Sequence, residues 1–216
     1  MRGTMVKAIM FDFWGTLVEN GVFPSPVRQA KNILRIDRLP FPLFILEFER
    51  SLMTKRFDDL YQAFENVSKQ FELRPDTQRQ DALVGMWNKN KLLAKPFPDT
   101  IEMLEKLKKS HKLILVANTD SFSVEAVLDK YGLKKYFDSI YLSCDMGMLK
   151  SNAKMFETIL EKEGLKGEDA IMVGDSIESD LFGAEKAGLK GILLDRNNKR
   201  SHPNRITTLA ELEQFL

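Results

Sequence analysis

The sequence is short of several features that would have defined a function class early. It has one cysteine in 216 residues, Cys144, which excludes an intramolecular disulfide and fits a reducing compartment. It has no excess of either charge: 32 Lys and Arg face 31 Asp and Glu, for a formal net charge of +1. That balance argues against nucleic acid or an anionic membrane surface as the partner. No apolar run approaches the ~20 residues of a membrane span, and the N-terminus lacks the apolar core of a signal peptide. The expectation is a cytoplasmic, soluble protein, with Met5 an alternative start to Met1. What remains is ordinary for a globule, 44% hydrophobic and 29% charged, and long enough for one large domain or a core with an insert.

The stretch that organises the chain is VKAIMFDFWGTL, residues 6 to 17. An apolar run ends in one carboxylate, Asp12, and then breaks at Gly15-Thr16. A strand that delivers a lone acid into a glycine turn can present a nucleophile at a sheet edge, although an isolated Asp there equally reads as a turn cap.

From about 19 to 95 the pattern is helical, with no convincing strand. Ser25-Pro26 reads as an N-cap followed by proline in the first turn, and a second helix follows Pro40-Phe41-Pro42. Phe57, Leu60, Tyr61, Phe64, Val67 and Phe71 form an apolar stripe expected to face a core, and Pro75-Asp76 opens a fourth helix. The basic residues Arg28, Lys31, Arg35 and Arg38 read as a solvated face or as contacts for an anionic substrate.

After Pro96-Phe97-Pro98 helices and strands alternate. Asp99-Thr100-Ile101-Glu102 resembles a capping box, and strands are expected over 113–117, 139–144, 170–173 and 191–194. Thr208-Leu209-Ala210-Glu211 caps a last helix. Gly-Leu-Lys recurs at 132–134, 164–166 and 188–190, where glycine takes the left-handed position at a helix end and leucine packs back. Alternating units of this kind make an α/β fold with a parallel sheet covered on both faces, and the helical block is an insert after its first strand.

Ligands of such sheets bind beyond the carboxyl ends of the strands. Those ends carry Asp12, Asn118-Thr119-Asp120, the run from Cys144 to Lys150, and Gly174-Asp175-Ser176 with Asp180 beyond. The set suits phosphoryl transfer. Asp12 and Asp175 can share a Mg²⁺, which shields an incoming phosphate from the charge of the attacking Asp12. Lys150 and the helix start after it add positive charge, and Asn118 and Thr119 offer hydrogen bonds to phosphoryl oxygens. Taken singly, Lys150 is a solvated lysine, Asp175 a helix cap, Asn118 a turn residue and Cys144 structural; their joint placement at strand ends is what those separate readings explain poorly.

With those residues assembled, the chain resembles the haloacid dehalogenase-like hydrolases over nearly its whole length. The family's first motif matches Asp12-Phe13-Trp14-Gly15-Thr16, its lysine motif matches Gly147 to Lys150, and its acidic motif matches Gly174-Asp175-Ser176 with Asp180. The resemblance implies a Rossmann-like core over residues 1–18 and 96–216, and a helical cap over 19–95 that closes on the site and selects substrate. It implies Asp12 as nucleophile and Lys150 as the residue that steadies Asp12 and the phosphate. Mg²⁺ would be held by Asp12, Asp175 and the backbone oxygen of Trp14, with Asp180 and Ser176 in support. Thr16, Asn118, Thr119 and Lys150 would form the phosphate-binding set.

Two positions depart from the family's phosphatases. Trp14 stands where they carry the general acid, and Ala117-Asn118 stands where a hydroxyl residue ends the second strand. General acid–base help is worth ~10²–10⁴ in rate, so Trp14 must slow release of alkyl leaving groups unless Asp120 or a carboxylate of the insert substitutes. The family's 2-haloacid dehalogenases carry an aromatic residue at that position, and their halide leaves unprotonated. Three readings follow: a Mg²⁺-dependent phosphatase or phosphotransferase acting on a small phosphorylated metabolite, a 2-haloacid dehalogenase-like hydrolase, or a binding or regulatory homologue. Retention of Asp175 and Asp180 favours the first, since metal-free dehalogenases replace the metal-binding acid by a neutral residue.

Overall fold

β1 (Ala8–Phe11) is buried at all four residues and lies in the middle of a six-stranded sheet. The structure is a computed structural model that describes residues 6–216, so the choice between Met1 and Met5 lies outside the described residues. The chain continues through β2 (Val18–Glu19) into four helices, α1 (Pro26–Leu34), α2 (Phe41–Met53), α3 (Leu60–Gln70) and α4 (Thr77–Leu93), and returns as β3 (Lys95–Pro96). Next come α5 (Thr100–Leu107), β4 (Lys112–Ala117), α6 (Ser123–Tyr131), β5 (Ser139–Leu142), α7 (Ser143–Met146) and α8 (Ala153–Glu163). β6 (Ala170–Gly174), a π-helical turn (Ile177–Leu181), α9 (Phe182–Lys186), β7 (Lys190–Leu194), β8 (Arg205–Ile206) and a 3₁₀ segment (Leu209–Phe215) complete the order.

The strands lie in the order β5-β4-β1-β6-β7-β8, and each neighbouring pair is parallel. Successive side chains of a strand point to opposite faces, and here both faces are apolar. Ile9 and Phe11 join Leu113, Leu115, Ile171 and Val173 in a core closed by α5, α6 and the 3₁₀ segment. Ala8 and Met10 join Ile114, Val116 and Met172 beneath α8 and α9. That two-sided burial is why the strands read as unbroken apolar runs.

The three glycine stops form as expected. Gly132, Gly164 and Gly188 have φ of +62°, +64° and +87°. The following amides of Leu133, Leu165 and Leu189 donate back to the carbonyls of Leu128, Leu160 and Ala184 at 2.8, 2.9 and 3.0 Å. The Thr208–Glu211 capping box also forms, over a 3₁₀ rather than an α segment.

The four inserted helices have their own core, built on Phe44, Phe48, Leu52, Phe64, Val67 and Trp87. Four expectations need correction. The region has strands at its margins: Val18 pairs with Pro96 and Glu19 with Lys95, a ribbon too short for a periodic pattern. Tyr61 lies outside the core, because Leu60 takes the inward position and the Tyr61 hydroxyl donates to Asp81 at 2.9 Å. Residues 143–146 turn into α7 instead of extending β5. Asp99 does not cap α5, since its carboxylate takes the Arg196 guanidinium at 2.9 and 3.1 Å and the Leu209 amide at 3.0 Å. A charge-assisted fork outcompetes a neutral cap.

Candidate active site

Parallel strands on both sides of β1 hold Asp12 at the carboxyl edge, where its amide donates to the Val173 carbonyl at 2.9 Å. The chain then turns through Gly15 at φ +82°, and a Cβ there would come within 2.5 Å of Asp175 Oδ2. Glycine therefore serves twice: it allows the left-handed turn and lets the β1 loop close on the β6 loop. The Thr16 hydroxyl, completely buried, donates to Asp12 Oδ2 at 3.1 Å.

Lys150, 1% exposed, comes from the loop between α7 and α8 and reaches under the sheet edge. Its Nζ contacts Asp12 Oδ1 and lies 2.7 Å from Asp180 Oδ1. Its backbone amide donates to Asn118 Oδ1 at 2.9 Å, and its carbonyl abuts Gly183, where a side chain would collide with it. Asp180 stands on the π-helical turn and accepts the Ser176 amide on its other oxygen at 2.9 Å.

Asp12, Asp175 and Asp180 bring carboxylate oxygens within 4.8 Å of one another. Burial pushes Asp12 up to about 6; Lys150 pulls it down, and the charge of Asp180 adds to the rise. Burial, together with Asp180 and Asp12, pushes Asp175 up to about 8 against the opposing pull of Arg200 and Lys150. Burial disfavours the Lys150 ammonium, but Asp12 and Asp180 outweigh it and keep the lysine protonated. With three carboxylates gathered around one ammonium, ionising all three is unfavourable, because Lys150 and Arg200 offset only part of the burial and repulsion that hold Asp175 up. Hard oxygen donors of this kind suit a divalent cation such as Mg²⁺. Asp12 and Asp180 each hold Lys150 on one oxygen and accept a hydrogen bond from Thr16 or Ser176 on the other, and Asp175 is the carboxylate with no such partner among the described residues.

These groups open into a cavity of about 390 Å³ that is also lined by Trp14, Ile45, Glu49, Met53, Trp87 and Asn118. An outer cavity of about 570 Å³ shares Phe41, Ile45, Glu49, Asn118 and Arg200 with it and adds Arg28, Leu46 and Ile177. Of the four basic residues on and after α1, Arg28 alone lines it, stacked 4.1 Å over the Phe41 ring.

The structure brings Asp12, Lys150, Asp175, Ser176 and Asp180 together. The remaining expected residues are placed differently. Thr16 supports Asp12 from beneath and lines neither cavity. Asn118 faces the cavity with its amide engaged, donating to Glu49 at 3.1 Å and Ser179 at 3.2 Å. Thr119 also lines the cavity, but its hydroxyl donates to the Asp120 carbonyl at 3.1 Å and its amide to Ser143. Trp14 lines the cavity with its ring edge-on to Phe13, centroids 5.0 Å apart. Burial pushes the Cys144 thiol up to about 12, in keeping with a structural role.

Sequence reasoning did not single out Glu49 or Arg200. Glu49 had a signal: it is the acid in the apolar stretch Phe44-Ile45-Leu46-Glu47-Phe48-Glu49 that shares a helix face with Ile45 and Leu52. Burial pushes its carboxyl up to about 7, opposed by the Lys150 charge and the Asn118 hydrogen bond. Arg200 donates to the Asp175 carbonyl from a loop beyond β7, and no local pattern marks it.

A family model for haloacid dehalogenase-like hydrolases matches residues 6–188. A glyceraldehyde 3-phosphate phosphatase of Methanothermobacter thermautotrophicus is 28% identical over 200 aligned positions, 88% of this chain and 86% of that protein. The Methanocaldococcus jannaschii protein of the same name is 27% identical over 225 aligned positions, 96% of each chain. Among solved structures, a haloacid dehalogenase-like phosphatase of Thermococcus onnurineus superposes with a TM-score of 0.65 at 24% identity, covering 97% of both chains. The L-2-haloacid dehalogenase of Xanthobacter autotrophicus superposes at 0.68 with 17% identity over 98% of both, a likeness of fold. With the family match running from β1 through the insert to α9 and taking in the strand-end acids, this chain belongs to the haloacid dehalogenase-like hydrolases.

Proposed function

We propose that the protein is a Mg²⁺-dependent phosphatase acting on a small phosphorylated metabolite, with an aspartyl-phosphate formed on Asp12. The observation that carries this reading is the buried Asp12–Lys150–Asp180 array with Asp175 beside it, three carboxylates close enough to share a cation, one of which the others and burial push up. A carboxylate nucleophile attacking a dianionic phosphate must overcome charge repulsion. Bound Mg²⁺ would neutralise phosphate charge and orient the ester for attack. Lys150 holds Asp12 in line and offers its ammonium to a phosphoryl oxygen. Asp180 fixes the lysine between two acids, and Thr16 fixes the second oxygen of Asp12.

Residues 1–18 and 96–216 are the catalytic core in this reading, and 19–95 is a cap that closes over the ester and selects it. Support for a phosphorylated substrate comes from the full-length relatives named as glyceraldehyde 3-phosphate phosphatases. Trp14 supports a second reading, a dehalogenase, because it cannot donate a proton. Against it, the additional acids Asp175 and Asp180 would repel a haloacid carboxylate.

The test is a panel of phosphate esters and 2-haloacids assayed with and without Mg²⁺. The proposal predicts phosphate release that is lost with chelator and in Asp12→Asn. Metal-independent halide release, without phosphate release, would replace it by the dehalogenase reading.

A further inference from the structure

We propose that Glu49, on the inserted helix α2, is the general acid–base residue that replaces the proton carrier missing at Trp14. This inference rests on the phosphatase reading and adds a residue to it.

Four observations bear on it. In-line displacement puts the leaving oxygen on the far side of phosphorus from Asp12. Asp12 enters the cavity from the sheet edge, and Glu49 lines the same cavity from the inserted helices. Glu49 receives its hydrogen bond from a neutral amide, Asn118 Nδ2 at 3.1 Å, so it can carry a proton without breaking an ion pair.

Asp120, the other candidate, is fully engaged. Its Oδ1 accepts the amides of Phe122 and Ser123 at 2.7 and 3.0 Å, and its Oδ2 accepts the Ser123 hydroxyl and Trp87 Nε1 at 2.7 and 2.8 Å. It caps α6, ties α4 to the core and has no oxygen left for a leaving group. Burial pushes Glu49 up to about 7, opposed by the Lys150 charge and the Asn118 hydrogen bond and helped by the charges of Asp180 and Asp12, so that one carboxyl can both give and take a proton.

In the first step an Asp12 oxygen bonds to phosphorus, the ester P–O bond breaks, and its electron pair takes the proton from Glu49 as the alcohol leaves. In the second, water attacks phosphorus and gives a proton to the Glu49 carboxylate. The bond between phosphorus and Asp12 then breaks, releasing inorganic phosphate.

The experiment is a rapid-quench comparison of wild type, Glu49→Gln and Asp120→Asn on p-nitrophenyl phosphate and on an alkyl phosphate, glycerol 3-phosphate, with Mg²⁺. Nitrophenolate leaves without a proton, so its burst amplitude counts competent sites in each variant. The expected result for Glu49→Gln is a nitrophenolate burst within about threefold of the wild-type rate, a steady state slowed at dephosphorylation, and alkyl cleavage per competent site down ~10²–10⁴. Asp120→Asn should keep the wild-type ratio of the two substrates. Equal loss on both substrates in Glu49→Gln, no loss on either, or a ratio that collapses in Asp120→Asn instead, would overturn the assignment. A wild type with neither a burst nor turnover would overturn the phosphatase reading beneath it.

Discussion

At the scale of single residues, the site is a problem of charge. Lys150 can neutralise one of the carboxylates around it, and Asp180 and Asp12 both claim it. Among the described residues Asp175 has no salt bridge to its carboxylate; Arg200 hydrogen-bonds its backbone carbonyl and acts on the carboxylate only through its charge. A Mg²⁺ bound there should therefore stabilise the folded chain whether or not substrate is present. At about 100 times the dissociation constant the gain is ~2.7 kcal/mol, read as a rise in melting temperature that chelator reverses. Asp175→Asn should lose this response, yet without metal it should be at least as stable as wild type because one source of repulsion is gone. An Asp175→Asn variant that still gains stability from Mg²⁺ would remove Asp175 from the ligand set.

At the scale of elements, the strand ends do the positioning, and this is the part the sequence made legible. Asp12, Lys150, Asp175 and Asp180 each follow a strand or its loop by a few residues, so a local pattern fixes which edge they occupy. Glu49 and Arg200 reach that edge only through tertiary packing, by the seating of α2 and the path of the loop beyond β7. The β2–β3 ribbon has no hydrophobic period to read in two residues a side. A long-range fork was equally invisible: Arg196 joins Asp99, ahead of α5, to the Thr16 carbonyl in the loop after Asp12. Burial raises the Asp99 carboxyl, but the Arg196 hydrogen bond, the Leu209 amide and the Arg196 charge outweigh it and hold the group below its ordinary range. A lowered carboxylate contributes stability above its unfolded pKa of ~3.9 and loses that contribution as pH falls through the folded value. Asp99→Ala should cost on the order of 1 kcal/mol at pH 7, after solvent screening of a partly exposed pair. The gap from wild type should close below about pH 4 in urea unfolding. A gap independent of pH would assign the loss to packing.

At the scale of the whole molecule, two bodies with separate cores meet over one cavity. The sheet's cores lie on either face of β1, and the inserted helices have their own aromatic core. Between them run a few directional ties: Trp87 to Asp120, Asn118 to Glu49, the Ser143 hydroxyl to the Met53 carbonyl at 2.6 Å, and Arg56 across to Asp145. The sheet supplies Asp12 and its lysine, the insert supplies Glu49, and each lacks what the other holds. Under the proposed assignment of Glu49, that division would let Trp14 stand where the family's phosphatases keep an acid. The central claim, that Asp12 becomes covalently phosphorylated, is tested most directly by acid-quenching the protein with Mg²⁺ and labelled acetyl phosphate and mapping the label by mass spectrometry. The account predicts hydroxylamine-sensitive phosphate on the peptide containing Asp12, absent in Asp12→Asn. Turnover without any label on Asp12, or a label that persists in Asp12→Asn, would contradict it.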